Sequence, residues 1–292
     1  MELADRFVVV DVETANADLA SICQIGVVAL ADGQVEDTWE TLVDPEDYFD
    51  GINVGIHGID ESTVKNAPAF PDIAGELMRR LTRSVTVSHM SFDRVALSQA
   101  HAKYEIPFLD CRWLDTARVC RRAWSQFARK GYGLNPVAEW CGVRFQHHQA
   151  AEDARAAGLI LLKAMQETGL SVEDWISRCE CPIDPSNKTY QNQFARQGNP
   201  DGPLAGEQIV FTGALSIPRS EAAKLAAMAG CDVGDSISKK KTTVLVVGDQ
   251  DTRKLAGHEK SSKQRKAEEL IAAGVAIRIL GESDFRLLVE IG

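Results

Sequence analysis

The sequence predicts an α/β protein of two domains: a mixed sheet flanked by helices over residues 1–178, then a smaller α/β unit over residues 203–292. Three observations carry this expectation. The chain has 292 residues, more than a single domain of common size holds. Its first three strand-like stretches follow one another without a helix, after which strand and helix patterns alternate. Between residues 179 and 202 regular pattern stops, in a stretch rich in Pro, Asn, Gln, Asp and Gly that reads as a linker.

Taken in order, FVVVDV is a short β-branched run fit for a buried strand. ICQIGVVAL and QVEDTWETLV follow it, joined through Ala31-Asp32-Gly33, and Asp-Gly is hairpin chemistry. PDIAGELMRRLT, FDRVALSQAHAKY, DTARVCRRAW and EDARAAGLILLKAMQE carry helical periodicity, and SVTVSHM between the first two reads as another buried strand. Beyond the linker, EQIVFTG, a short stretch near Val233, TTVLVVG and VAIRIL read as strands. SEAAKLAAMAG and SKQRKAEELIAAG read as helices, and a closing helix is expected to start at a Ser283 cap.

A hydrophobic content of 45% with 25% charged residues suits a globular chain with a sizeable core. No apolar run approaches the roughly 20 residues of a membrane span. MELADRFVVVDVET has acids where an export signal carries positive charge, so a cytoplasmic protein without a membrane partner is expected. The seven cysteines are odd in number and scattered, which points to free thiols. Cys179 and Cys181 stand one residue apart with no second pair to match, a poor zinc spacing. The net charge of −10 is unevenly held. Residues 203–292 carry 13 Lys+Arg against 12 Asp+Glu, which leaves 19 against 30 on residues 1–202. An acidic half is a poor nonspecific ligand for a polyanion. If it handles nucleic acid, metal ions must neutralise phosphate locally.

Four acids stand at element ends in that acidic half. Asp11 and Glu13, two apart on a strand, project from the same face. Asp93 lies where SVTVSHM passes into a helix, and Asp153 lies in the opening turn of the alanine-rich helix. Each taken singly is explained by a solvated strand end, a helix cap or the helix dipole. Together, without cations, they would repel one another strongly. Oxygen-ligated divalent ions such as Mg²⁺ or Mn²⁺ remove that conflict, and a pair of them can activate water and stabilise the leaving oxygen of a phosphodiester.

VVDVET, then SFD, then His148 with four residues before Asp153, resembles the DEDD superfamily of 3′–5′ exonucleases. The H-x(4)-D ending is similar to its histidine-bearing (DEDDh, DnaQ-like) branch, which includes the proofreading subunit of bacterial replicative polymerase and RNase T. The resemblance covers roughly residues 5–170. It implies an RNase H-like fold, two Mg²⁺ or Mn²⁺ ions, and release of nucleoside 5′-monophosphates from a 3′ end. By position it implies that Asp11 bridges both ions, that Glu13 and Asp153 complete one site, and that Asp93 holds the other through water. Glu13 would also orient the attacking water.

Five residues on a helix turn through about 140°, so His148 must act from the loop before the helix, where it suits a general base. The spacing prefers it over His147, which is left with Glu152 as neighbouring surface. The chain departs from the family at His89, where Asn is usual four residues before the second-motif aspartate. HGI at residues 57–59 resembles a stretch that relatives place near the nucleotide, so His57 is expected in substrate or structural support, and the resemblance implies that Thr14 and the backbone after Glu13 meet the terminal sugar.

FTGALSIPRS has one glycine and no lysine, and SISKKKT lacks the glycine, so neither carries a nucleotide-binding loop. LAGEQIVFTGALSIPRSEAAKLAAMAGCDVGDSISKKKTTVLVVG followed by SSKQRKAEEL resembles a BRCT domain of the type that ends bacterial NAD-dependent DNA ligase. The resemblance implies a phosphate pocket at Thr212, Gly213 and Lys263, with Arg219 as a fourth contact. A hydroxyl, free amides, a helix N-terminus and cations together favour an anion, either a DNA 5′ phosphate or a phosphorylated protein. Lys239-Lys240-Lys241 reads as a solvated loop or a backbone contact.

The expected protein is therefore a metal-dependent exonuclease acting on nucleic acid 3′ ends, DNA foremost, in repair or replication, with association to a polymerase left open. Its rivals are an RNA 3′-end trimmer and a catalytically inactive DNA-end or phosphoprotein adaptor.

Overall fold

The computed structural model of the chain describes residues 6–82, 84–108, 110–183, 197–248 and 260–291. The chain divides into two compact units, Met1–Pro185 and Ser186–Gly292. The middle of the expected linker, residues 184–196, lies outside the described residues.

In the first unit β1 (Arg6–Thr14), β2 (Ile22–Ala31) and β3 (Gln34–Leu42) form an antiparallel meander. Asp32 and Gly33 turn between β2 and β3 with φ of 53° and 75°, the left-handed pair that matches strand twist in a two-residue hairpin. Three helices follow: α1 (Gly51–His57), α2 (Glu61–Val64) and α3 (Phe70–Leu81). Then come β4 (Val85–Ser88), α4 (Phe92–Lys103), β5 (Trp113–Asp115), α5 (Thr116–Ala123), α6 (Leu134–Cys141), α7 (Ala150–Thr168) and α8 (Val172–Glu180). The sheet order is β3-β2-β1-β4-β5, with β4 parallel to both β1 and β5. This is the expected mixed sheet flanked by helices.

Strand periodicity explains how the core becomes a site. Phe7 and Val9 point to one face, where they pack with Val28, Leu30, Val85, Val87 and Leu114 against Val119, Ile160, Leu161 and Trp175. Each such fully buried side chain contributes about 1.5–3 kcal/mol. The next residues on that face of β1 are Asp11 and Glu13. Val8 and Val10 point the other way and are buried on the side opposite that core. The carboxyl ends of β1 and β4 lie side by side, the edge at which open α/β sheets place their sites.

The second unit is a four-stranded sheet of order β7-β6-β8-β9, all neighbours parallel. It is built from β6 (Gln208–Thr212), α9 (Arg219–Ala229), β7 (Asp232–Gly234), β8 (Val244–Val247), α10 (Ser262–Ala272), β9 (Arg278–Gly281) and α11 (Glu282–Ile291). Val210, Leu245, Ile237, Ala267 and Ile277 form one core cluster. Asn199 N–H donates to Ala227 O at 2.7 Å and Leu204 N–H to Ala229 O at 2.8 Å, which binds residues 199–204 to the end of α9. The Ser283 cap is corrected: α11 already begins at Glu282, whose carboxylate accepts from Ser216 N–H at 2.7 Å, so Ser283 sits inside the first turn. Among the described residues no helix is long and apolar enough to cross a membrane.

Candidate active site

Three elements deliver the acids. β1 carries Asp11 and Glu13, the first turn of α4 carries Asp93, and the first turn of α7 carries Asp153. The structure brings them together. Asp93 Oδ1 accepts from Val12 N–H at 3.1 Å, which attaches its carboxylate to the backbone between the two acids of β1. Carboxylate oxygens of Asp11, Glu13 and Asp153 all lie within 4.8 Å of one another. Asp93 and Asp153 are only 6% and 3% exposed, so neither is a solvated surface acid. Packing carboxylates this closely in partial burial is unfavourable unless a cation balances them. An all-oxygen donor set of this kind fits a hard divalent ion. The charge of Glu13 reaches its neighbours: burial first, and Glu13 second, push the Cys23 thiol upward.

The loop before α7 folds back over the helix start. His148 has φ of +64°, rare for a residue with a side chain. That turn lets His148 N–H donate to Asp153 Oδ2 at 2.9 Å, while its ring Nδ1 stands 3.8 Å from Glu13 Oε1. His148 thus leans over the acids from outside the helix, as its spacing from Asp153 required. His147 departs from the expectation of a bystander. Its Nδ1–H donates to Asp153 Oδ1 at 2.9 Å, and its ring stacks on His148 with centroids 3.9 Å apart. The left-handed turn at His148 is the reason, since it aims two consecutive side chains at one helix end. Two adjacent histidines offer the same chemistry in sequence, so nothing there marked His147 as a partner of Asp153. Glu152 pairs with Arg155 at 2.8 Å on the surface.

Thr14 and His57 meet behind β1. Thr14 O accepts from Asn53 Nδ2 at 2.8 Å and from His57 Nε2 at 3.1 Å, and His57 Nδ1 accepts from Ile59 N–H at 3.0 Å. Burial holds the His57 imidazole below its usual titration range, partly opposed by the bond to Thr14. Asn53 had no mark in the sequence, because α1 has no buried residue and hence no apolar stripe. His89 is buried, with Nε2 2.8 Å from Tyr132 O and Nδ1 2.8 Å from Thr116 Oγ1. It ties the end of β4 to α5 and to the segment before α6.

In the second unit the four residues named for a phosphate pocket converge at the carboxyl end of β6. Thr212 Oγ1–H donates to Ser261 Oγ at 2.8 Å, Ser261 being the N-cap of α10. Lys263 Nζ donates to Phe211 O at 3.0 Å, and Arg219 donates to Gly213 O at 2.5 Å. Gly213 has φ of +75°. Burial, and then the nearby Arg219 charge, pull the Lys263 ammonium below its usual range, against the opposing pull of Asp235. Lys239, Lys240 and Lys241 are exposed.

The family described as Exonuclease, RNase_T, matches residues 8–161. The DNA polymerase III PolC-type of Caldanaerobacter subterraneus subsp. tengcongensis is 30% identical over 168 residues, 56% of this chain and 12% of that protein. The 3′-5′ exonuclease DinG of Bacillus subtilis is 30% identical over 169 residues, 56% of this chain and 18% of that protein. The chain thus spans less than a fifth of the length of either relative. The solved structure of SSB/Exonuclease I in complex with inhibitor CFAM covers 61% of this chain and 44% of its own, at 12% identity and a TM-score of 0.50. That likeness shows the fold. With the family match running over more than half of its length, this chain belongs to the RNase_T exonuclease family.

Proposed function

We propose that this chain is a 3′–5′ exonuclease of the DEDDh type. It would use two Mg²⁺ or Mn²⁺ ions to remove nucleoside 5′-monophosphates from nucleic acid 3′ ends, with DNA as the preferred substrate. One observation carries the proposal: Asp11, Glu13 and Asp153 converge within 4.8 Å while Asp93 is bonded to the strand between the first two. The relatives named as a polymerase of the PolC type and as a 3′-5′ exonuclease favour DNA and a role in replication or repair.

Asp11, Glu13, Asp93 and Asp153 would hold the ions. When bound, these supply Lewis acidity toward the phosphodiester and neutralise its charge. His148 would accept the proton of the attacking water as that water adds to phosphorus and the bond to the 3′ oxygen of the penultimate nucleotide breaks. The leaving 3′ oxygen takes a proton from solvent, His148 gives its own proton up to solvent, and the shortened strand ends in a new 3′ hydroxyl. Glu13, within 3.8 Å of the His148 ring, would orient the same water. Thr14 and His57 would support the terminal sugar from behind β1.

The proposed organisation is an exonuclease domain over residues 1–178, a linker over 179–202 and a BRCT domain over 203–292. The parallel sheet of the second unit and the meeting of Thr212, Gly213, Arg219 and Lys263 support a site for a phosphate on a DNA end or a partner protein. The deciding experiment is side-by-side digestion of matched 3′-labelled DNA and RNA strands in Mg²⁺ and in EDTA. DNA should release its label only with metal, and Asp153→Ala should stop that release. Faster loss from RNA would make the enzyme an RNA trimmer, and release in neither would leave the adaptor reading.

A further inference from the structure

The approach of α7 to the sheet is set by the residues that stand opposite the acids of β1. In the β1–β2 pairing, Asp11 faces Gly26 and Glu13 faces Gln24; in the β2–β3 pairing, Gly26 faces Glu40. Directly opposed residues share a sheet face, so Asp11, Gly26 and Glu40 form a row across three strands on the face where α7 lies. A Cβ built on Gly26 would come within 2.2 Å of Ala151 N and 2.3 Å of the Ala150 carbonyl carbon. The first turn of α7 therefore rests directly on the backbone of β2.

Beside that contact, the open amides of the helix are taken by sheet side chains. Ala150 N–H donates to Gln24 Oε1 at 3.2 Å, and Ala151 N–H donates to Glu40 Oε1 at 3.1 Å. These are two of the amides that every helix leaves without an internal partner. The N-cap residue, Gln149, provides no side-chain bond of its own. Gln24 is 8% exposed, so its amide is committed to this contact.

We propose that Gly26, Gln24 and Glu40 are positioning residues, a seat for the start of α7 that sets how far Asp153 stands from Asp11 and Glu13. Asp153 is less than one helical turn from Ala150, so any displacement of the helix start is carried to its carboxylate almost unreduced. Bringing a Cβ on Gly26 out to ordinary contact, 3.4 Å, requires α7 to retreat by about 1 Å. Coordination geometry tolerates only about 0.2 Å, so the affinity of the acids for a divalent ion should fall although no ligand has been changed. The seat is read from geometry alone. What the ion does there rests on the exonuclease proposal.

The test uses the full chain with Gly26→Ala, Gln24→Ala and Gln24→Glu. Mn²⁺ binding is measured directly from the electron paramagnetic resonance of the free ion, beside the metal-free melting temperature and strand-release kinetics. Gly26→Ala should weaken Mn²⁺ binding by about 10- to 100-fold, the size of effect seen for partners that orient metal ligands. It should lower kcat while KM for the strand changes by less than about twofold. Gln24→Ala should act in the same direction but less, and Gln24→Glu, which keeps an acceptor at the amide of Ala150, should restore binding. A folded Gly26→Ala chain that binds Mn²⁺ like the wild type overturns the proposal. If that variant does not fold, Gln24→Ala decides, and wild-type Mn²⁺ affinity in it overturns the proposal as well. A wild-type chain that binds Mn²⁺ yet releases no nucleotide removes the exonuclease reading alone, and the seat is then judged on the binding data.

Discussion

Two histidines in sequence end up with different tasks because one backbone dihedral turns between them. His148 reaches toward Glu13, whereas His147 holds Asp153 by a hydrogen bond and stacks on its neighbour. If His148 is the base and no ligand, His148→Ala should lower kcat by about 10²–10⁴ while Mn²⁺ binding is retained. Loss of Mn²⁺ binding in that variant would assign it a ligand role instead. His57 gives a stability prediction with a definite sign. Its folded pKa lies below the unfolded value of about 6.5, because burial disfavours the imidazolium and Nδ1 already accepts a backbone N–H. The unfolded chain therefore binds more protons in that window. The contribution of His57 is complete above pH about 6.5 and is lost as pH falls through the lower, folded value. Melting temperature recorded between pH about 7.5 and about 5.5 should fall less steeply for His57→Gln than for the wild type. An unchanged slope would mean that His57 takes up protons equally in both states and that burial does not hold it down.

Helix α7 joins core to site. Gly158 lies against the tips of Leu30 and Val9, where a Cβ would meet Leu30 Cδ1 at 2.8 Å and Val9 Cγ2 at 3.1 Å. Those are side-chain ends that can give way, unlike the backbone met at Gly26. Gly158→Ala should accordingly destabilise by about 1–3 kcal/mol through overpacking, offset by up to about 1 kcal/mol of helix propensity. Chemical denaturation should show this shift, with Mn²⁺ affinity near that of the wild type. The longer elements were legible before the fold was known, because β1, β2, α3, α4 and α7 carry apolar residues at strand or helix period. α1, β5 and α6 were not. α1 buries no residue and its apolar residues Ile52, Val54 and Ile56 fall at strand rather than helix period, and β5 is only three residues long.

Over the whole chain, charge divides between the units: 30 acids against 19 bases on residues 1–202, and near balance beyond. An acidic half of the exonuclease family gains little from nonspecific attraction to a polyanion. A phosphate-binding module on the same chain would compensate by raising the local concentration of ends. Lys263 sits among Thr212, Gly213 and Arg219 at a helix start, so Lys263→Ala in the full chain should weaken binding to a 5′-phosphorylated strand by about 1.5–3 kcal/mol, the range for a charged hydrogen bond. Its release rate on short 5′-hydroxyl strands should match the wild type. Equal losses on both strands would place Lys263 outside any end-recognition site.

The acids and their order were readable from the chain because each leaves a local mark: Asp11 and Glu13 interrupt an apolar run at period two, and Asp93 and Asp153 open helices. The mixed sheet was readable for the same kind of reason, since burial writes its period into neighbouring residues. What brought Asp11, Glu13 and Asp153 within 4.8 Å of one another is not written in any one stretch. It depends on Gly26 lying beside Asp11 in the ladder, on the amides of α7 finding Gln24 and Glu40, and on the left-handed turn at His148. The two contacts of α7 join residues more than a hundred positions apart. No short stretch of sequence encodes them, because each partner alone satisfies ordinary rules for a strand glycine, a polar strand residue or a helix start.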